Sequence, residues 1–571
     1  MGVRCPVYIY RHRFLQDTTG HLNFSMVHMQ SFCRTPPDTK KRVFPISLVR
    51  GCPVMSGKYK FFGGPGCGKT SIIKDFYQKY LIEGYRANEI TVLTFRKNAA
   101  NDLIKATIPY SNMDEKELRQ HVGTIHSICY RLIGHPDIIE QGDCRAFVEL
   151  NNYGKYFKNP GVSKTDVEES VYSGDLFDLY SWLRNTCTPF DQWKKYPGVN
   201  NIKLPSSKVP EFFQKYEEYK KQVEKIDFSD MLQKVLDQQI TIDTQILMVD
   251  EFQDFTAQMY KIFGMWVPHC EIILIACDPN QSIYEFWGGC SDYYYSFDAT
   301  EIVKHETYRL TEQIKNFSHK ILKYAGMAAP ETKARKVDYN SIHTIRYDAR
   351  LPVYEDEFHL IRCNYQAHAI ALSLAQDGKV FSGLCGWTED ELNAANAIIL
   401  IRQGKAVSFD QMKTIINLFP LKMLDIKDSK TDFINKLENN YTPQLQTGTG
   451  ILNVNILDTL NSTDPTKGML RDSVLFKAKI NGIKKRTELI ISTEAKSRSV
   501  LTIHGSKGLE ATAVFLHTEI TPRIKKALLI PGKESQAEAR VWYVGATRAK
   551  QVLYLVTDAG KNYTLPGVTS C

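Results

Sequence analysis

No apolar run in this chain approaches the ~20 residues that a membrane-spanning helix needs, so no such helix is expected. The start, Met1-Gly-Val-Arg-Cys-Pro6, lacks the apolar core of a signal peptide, and Pro6 stands where myristoylation wants Ser or Thr. Thirteen cysteines are scattered without one C-x-x-C pair, which argues against a zinc ribbon or a disulfide framework. Reduced thiols in an intracellular compartment are the expectation, neither secreted nor membrane-bound. Bulk positive charge is scarce too. The formal net charge is +9, but residues 1–54 hold eight Lys/Arg and two Asp/Glu, leaving only +3 for the other 517 residues. A nucleic-acid partner therefore has to be argued from motifs. At 571 residues the chain is too long for one ordinary core, and two or more domains are expected.

Two segments far apart in sequence carry chemistry. Gly63-Gly-Pro-Gly-Cys-Gly-Lys-Thr70 fits G-x-x-x-x-G-K-[ST], with Tyr59, Phe61 and Phe62 leading in as a strand and Ser71–Leu81 following at helical spacing. Gly63, Gly64, Pro65, Gly66, Cys67 and Gly68 let the backbone approach a β-phosphate. Lys69 adds a point charge, the Thr70 hydroxyl is placed for Mg²⁺, and Ser71 opens the helix. Thr244–Val249 reads as a buried strand, and Asp250-Glu-Phe-Gln-Asp254 follows it. Asp250 at the strand end suits the Mg²⁺ shell, and Glu251 suits the base that activates water. Together the segments predict hydrolysis of ATP with Mg²⁺.

Further segments name a family. Thr94-Phe-Arg-Lys-Asn-Ala-Ala100, Gly123-Thr-Ile-His-Ser127 and Asp227-Phe-Ser-Asp-Met-Leu232 are similar to T-F-T-N-K-A-A, G-T-F-H-S and D-F-D-D-L-L. Cys277–Gly289, Tyr308-Arg309, Leu501–Glu510 and Tyr543–Lys550 follow in the family's order. The chain thus resembles the superfamily 1 DNA helicases of the UvrD/Rep/PcrA type from residue 60 to residue 557. The resemblance implies an α/β fold of two RecA-like parallel-sheet lobes, each with a largely helical insertion. It implies that Arg309 and Arg548 reach the γ-phosphate from the second lobe, that Gln281 senses that phosphate or its water, and that Glu510 contacts the sugar. It also implies 3′-to-5′ movement on single-stranded DNA and tailed duplexes, with RNA left open. Phe95, Arg96, His126, Ser127, Tyr284, Phe286, Trp287 and His504 are the candidate strand contacts, because aromatic faces stack on bases.

Three departures stand out. Trp287 replaces an arginine usual in the family. No L-N-x-x-Q segment precedes the cradle at the expected distance, since Leu22-Asn23 has no glutamine at the right offset. Cys67 takes a position commonly held by Ser or Thr. The positive field at a helix start beside Lys69 predicts a lowered thiol pKa and alkylation that ATP–Mg²⁺ blocks; a thiol shielded by the loop is the alternative.

The expected organisation is a basic, poorly ordered extension over 1–54 with a second possible start at Met55. A first lobe covers 55–300 with a helical insertion at 133–224, and a second covers 301–565 with an insertion at 390–495. A tail occupies 566–571. Phe212, Phe213, Tyr216, Tyr219 and Val223 form an aromatic stripe read as core. The second insertion's helices are expected to start near Thr388, and Asn439–Asp464 reads as a polar loop. A helicase-fold nuclease subunit and an ATP-binding clamp without turnover are the competing readings. No nuclease domain follows residue 557, and the full set Lys69, Asp250, Glu251, Gln281, Arg309 and Arg548 argues for turnover.

Overall fold

The computed structural model describes residues 57–95, 97–111, 113–156, 175–346, 354–424, 429–440, 454–462, 464–470 and 473–557. The extension 1–54, Met55, Arg96 and the tail 566–571 lie outside them.

The first sheet has six parallel strands: β1 (Gly57–Gly63), β2 (Ile90–Thr94), β3 (Val122–Thr124), β4 (Ile246–Val249), β5 (Ile272–Cys277) and β6 (Thr300–Lys304), in the order β3-β2-β4-β5-β1-β6. Strands β2, β4 and β5 are buried along their whole length. In β4 and β5 that follows from unbroken apolar sequences, which suit a parallel sheet covered on both faces, whereas β2 also buries Thr91 and Thr94. One face packs on Phe76, Tyr77 and Tyr80 of the helix Lys69–Ile82, the other on Met259, Phe263 and Trp266. The sheet runs past the expected boundary at residue 300. Strand β6 pairs with β1 from Tyr59↔Thr300 to Gly63↔Lys304. Its residues are mostly exposed, so no buried run marked it in the sequence.

A short parallel pair, β7 (Glu306–Thr311) and β8 (Lys333–Arg335), precedes the second sheet. That sheet comprises β9 (Ile342–Arg346), β10 (Glu357–Ile361), β11 (Ser382–Gly383), β12 (Arg498–Thr502), β13 (Ala511–His517) and β14 (Ala549–Thr557). Its order is β11-β12-β10-β13-β14-β9, again all parallel. These are two RecA-like lobes. Ligands in such sheets sit beyond the carboxyl ends of the strands, and β1, β4 and β5 all deliver their motifs there.

Both insertions are helical. In the first, Phe212, Phe213, Tyr216 and Tyr219 of the helix Val209–Gln222 pack on Phe147, Phe177 and Tyr180 as core. The second opens at the helix Glu389–Arg402, where Thr388 and Glu391 cap each other (Glu391 N–H to Thr388 Oγ1, 3.2 Å; Thr388 N–H to Glu391 Oε2, 3.0 Å). The stretch expected to be loop contains a helix, Val454–Asn461. Ile456 and Leu460, one turn apart, are both fully buried and anchor it. Residues 441–453 lie outside the described residues. Among the described residues no helix is long and apolar enough to cross a membrane.

Candidate nucleotide cleft and strand path

The glycine loop needs its glycines for two separate reasons. Gly66 and Gly68 have φ of +72° and +79°, in the left-handed region that glycine enters without strain. A Cβ on Gly66 would also stand 2.4 Å from Arg309 Cβ. The second lobe presses on the loop here: Tyr308 N–H donates to Gly66 O at 2.9 Å, and Thr307 Oγ1 donates to Pro65 O at 2.7 Å. Gly63, Gly64 and Cys67 complete the turn, and Lys69, buried, directs its ammonium to Gly63 O (2.9 Å) and Gly64 O (3.3 Å). Ser71 lies in the first turn of the following helix and lines the cleft.

Strand β4 ends by placing Asp250 opposite Thr70, whose hydroxyl donates to Asp250 Oδ2 at 2.7 Å. A hydroxyl and a carboxylate side by side at the loop are the hard oxygen donors Mg²⁺ takes alongside phosphate oxygens, so the residues present fit that ion. Burial, then the neighbouring Glu251 charge, pushes the Asp250 carboxyl up to about 6. Burial acts on Glu251 in the same direction, but Lys507 and Lys69 outweigh it and hold Glu251 below its ordinary value. Glu251 itself has φ +56°, ψ +41°, a costly backbone for a residue with a side chain.

From Glu251 a hydrogen-bonded chain crosses the cleft. Gln253 donates to Glu251 and accepts from Asp278 N–H (3.0 Å); Gln281 Nε2 donates to Asp278 Oδ2 (2.6 Å); Arg548 Nη2 donates to Gln281 Oε1 (3.0 Å). Arg548 is buried, and burial followed by repulsion from Arg309 lowers its guanidinium to about 9. Arg309 pairs with Glu510, and its Nε is buried without a hydrogen-bond partner. The cleft enclosed by these groups has a volume of about 430 Å³.

Reading the motifs missed a buried ion pair between the lobes. Lys507 pairs with Asp254 and also donates to Gln281 O at 2.6 Å. Both ionic side chains are essentially solvent-free. Each stood inside a quoted motif, and the signal available was a lone cation and a second carboxylate beside the catalytic pair.

Cys67 differs from the expectation of a reactive thiolate. It is 4% exposed, and burial pushes the thiol up to about 11 against the opposing field of Lys69. Desolvation of the charged form outweighs the nearby positive charge.

The strand candidates separate into two groups. Phe95, half-buried, stacks on Tyr284 at 5.1 Å and meets Trp287 edge-on at 6.3 Å. Phe286 is 55% exposed and edge-on to His504 at 5.6 Å. These keep partly exposed rings. Tyr284 does not: it is 1% exposed, covered by Phe95 and by Lys507 at 5.1 Å, and its hydroxyl donates to His504 O (3.3 Å). His126 is buried 6.3 Å from Trp287, and Ser127 Oγ donates to Thr124 O (2.8 Å). Burial lowers the His504 imidazole to about 3, so it is neutral at physiological pH.

A phosphate loop closed over by arginines of a second RecA-like lobe is the arrangement of a two-lobed P-loop nucleoside triphosphatase. Comparison with known proteins narrows that class. Residues 52–301 match the UvrD/REP helicase N-terminal domain, and residues 454–559 match the UvrD-like helicase C-terminal domain. The chain belongs to the UvrD/Rep family of helicases. It is similar to a probable DNA helicase II homolog of Mycoplasma pneumoniae, 23% identical over 87% of this chain and 81% of that protein. Its similarity to the ATP-dependent DNA helicase PcrA of Staphylococcus aureus is 20% over the same shares. With the putative ATP-dependent DNA helicase YjcD of Bacillus subtilis it is 24%, over 53% of this chain and 40% of that protein.

Proposed function

We propose that the chain is an ATP-dependent DNA helicase that moves 3′ to 5′ along single-stranded DNA and opens tailed duplexes. The observation that carries the reading is the continuous contact chain from Glu251 through Gln253, Asp278 and Gln281 to Lys507 and Tyr284, which ends at the aromatic corner. One set of side chains thus touches both the site of hydrolysis and the strand path.

The geometry supports the following roles. Lys69 and the loop N–H groups hold the phosphates, and Glu251, kept ionised by Lys507 and Lys69, takes the proton of the attacking water. Thr70 and Asp250 would hold Mg²⁺, which neutralises charge on the phosphate oxygens when bound. Arg309 and Arg548 approach from the second lobe and stabilise charge on the transferred phosphoryl group, a role worth roughly 10³–10⁵ in rate. Because Arg548 and Lys507 bind Gln281, loss of the γ-phosphate alters the contacts that join the lobes. Opening and closing the cleft then shifts Phe286 and Trp287 relative to the bases stacked on them.

The test is the ATPase rate with and without single-stranded DNA or RNA, followed by unwinding of 3′- and 5′-tailed duplexes. DNA-stimulated hydrolysis and opening of the 3′-tailed duplex are expected. Hydrolysis indifferent to any strand would refute the translocase reading, and opening of only the 5′-tailed duplex would refute the polarity. Stimulation by RNA alone would move the substrate to RNA.

A further inference from the structure

Between Asp278 and Asp292 the chain carries one charged side chain, Glu285, and it opens the short turn Glu285–Trp287 that holds the exposed Phe286. The Glu285 carboxylate accepts from Arg540 Nη1, on the helix Lys533–Ala546 of the second lobe. The Arg540 side chain is only 14% exposed, and its Nε is buried without a hydrogen-bond partner. Burial raises the Glu285 carboxyl; Arg540 is the largest of the charges that oppose this, with Lys533 on the same side and Asp292 on the other. Neither Glu285 nor Arg540 lines the nucleotide cleft.

The other end of the turn is held by a different part of the molecule. Trp287 O accepts from Asn185 Nδ2 of the first insertion at 3.0 Å. Gly288 follows, so close to that insertion that a Cβ on it would stand 3.0 Å from Thr186 Cγ2. The turn is thus fastened at one end to the second lobe and at the other to the insertion of the first. Phe286 sits between the fastenings, edge-on to His504 of the second lobe at 5.6 Å.

We propose that the Glu285–Arg540 pair is a positioning contact that ties the aromatic turn to the second lobe, so that each movement of the cleft is passed to the strand. A charge-assisted hydrogen bond is roughly twice as strong as a neutral one. When the lobes move, the Glu285 end of the turn follows the second lobe, and the Phe286 ring shifts relative to Phe95 and Trp287. The assignment rests on the translocase reading above.

The experiment measures, on the full chain, ATP turnover without strand, its stimulation across an oligo-dT series, and the ATP used per base pair opened on a tailed duplex. Glu285→Gln keeps the shape of the side chain and removes its charge. It should hold kcat and KM for ATP without strand within about two-fold, since no group in the cleft changes. ATP used per base pair should rise about ten-fold, the lower end for a hydrogen bond to a charged group. Glu285→Arg sets two cations against each other and should be worse. The reversed pair, Glu285→Arg with Arg540→Glu, should recover most of the coupling, which a mere loss of packing would not allow. Arg540→Lys keeps the charge and loses the planar fork. It should fall between wild type and Glu285→Gln, and it carries the test if the reversed pair does not fold.

Glu285→Gln opening duplex at the wild-type ATP use would overturn the proposal and leave the function standing. A lowered thermal midpoint, with both ATPase rates falling in proportion and ATP use per base pair unchanged, would make the pair a structural bridge and overturn it too. So would a reversed pair that folds and stays as wasteful as Glu285→Arg. A wild type whose hydrolysis ignores every strand would overturn the translocase reading, and the coupling with it.

Discussion

Replacing Lys507 by Met tests whether the two lobes are joined electrically as well as mechanically. The Lys507 and Asp254 side chains are 3% and 0% exposed, and their ion pair joins the loop after β12 to the acidic box after β4. Methionine keeps most of the volume and removes the ammonium from a buried carboxylate. Breaking a buried pair from one side typically costs about 3–5 kcal/mol, and here Gln281 O loses a 2.6 Å donor as well. A second effect is separate from stability. Burial raises Glu251, and Lys507 is the largest of the charges that oppose it. Without that charge the Glu251 carboxyl moves up, and a general base that must be ionised loses activity at a higher pH. The assay is strand-stimulated ATPase from pH 5 to 9 together with thermal unfolding. Lys507→Met should lower the midpoint and shift the acid limb upward. Lys507→Met with Asp254→Asn should recover much of the stability, since neither charge is left buried, while the acid limb stays shifted. An acid limb that does not move in Lys507→Met, or a double variant no more stable than the single, would refute the reasoning.

Glu251→Gln should still bind ATP in a nucleotide titration while phosphate release falls by ~10²–10⁴, the usual share of a general base. Asp250→Asn should stabilise the Mg²⁺-free protein at pH 8. A carboxyl raised from 3.8 to about 6 contributes stability that is present below the lower value and lost as pH rises through the upper. Asparagine removes that loss, with a ceiling of about 3 kcal/mol at 1.36 kcal/mol per pH unit, and the difference from wild type should vanish by pH 4 in calorimetry. Cys67, with its thiol near 11 and 4% exposed, should resist iodoacetamide at pH 7.5, whereas the exposed Cys385 should be labelled before it by peptide mass spectrometry. The imidazole of His504, near 3, should contribute no titration to strand affinity between pH 5 and 8, and His504→Phe should leave the pH profile of binding unchanged.

What the sequence made legible divides by whether a feature is contiguous. The phosphate loop and the acidic box are each a short run whose residue types are dictated by local backbone demands, such as the positive φ of Gly66 and Gly68. Buried parallel strands announce themselves as unbroken apolar runs, so β4 was readable while the exposed edge strand β6 was not. Field and burial are not contiguous. Cys67 looked activated from its neighbours in sequence, but its burial is created by packing around the loop and outweighs Lys69. Tyr284 looked like a stacking face because it sits between Gln281 and Phe286, yet Phe95 and Lys507 arrive from distant segments to cover it. The same logic explains why Lys507 stayed hidden among ordinary lysines: its meaning is its partner, Asp254, 253 positions away. Loss of the Lys507–Asp254 contact is therefore expected to weaken the link between the lobes while the phosphate loop and the Asp250–Glu251 pair stay intact.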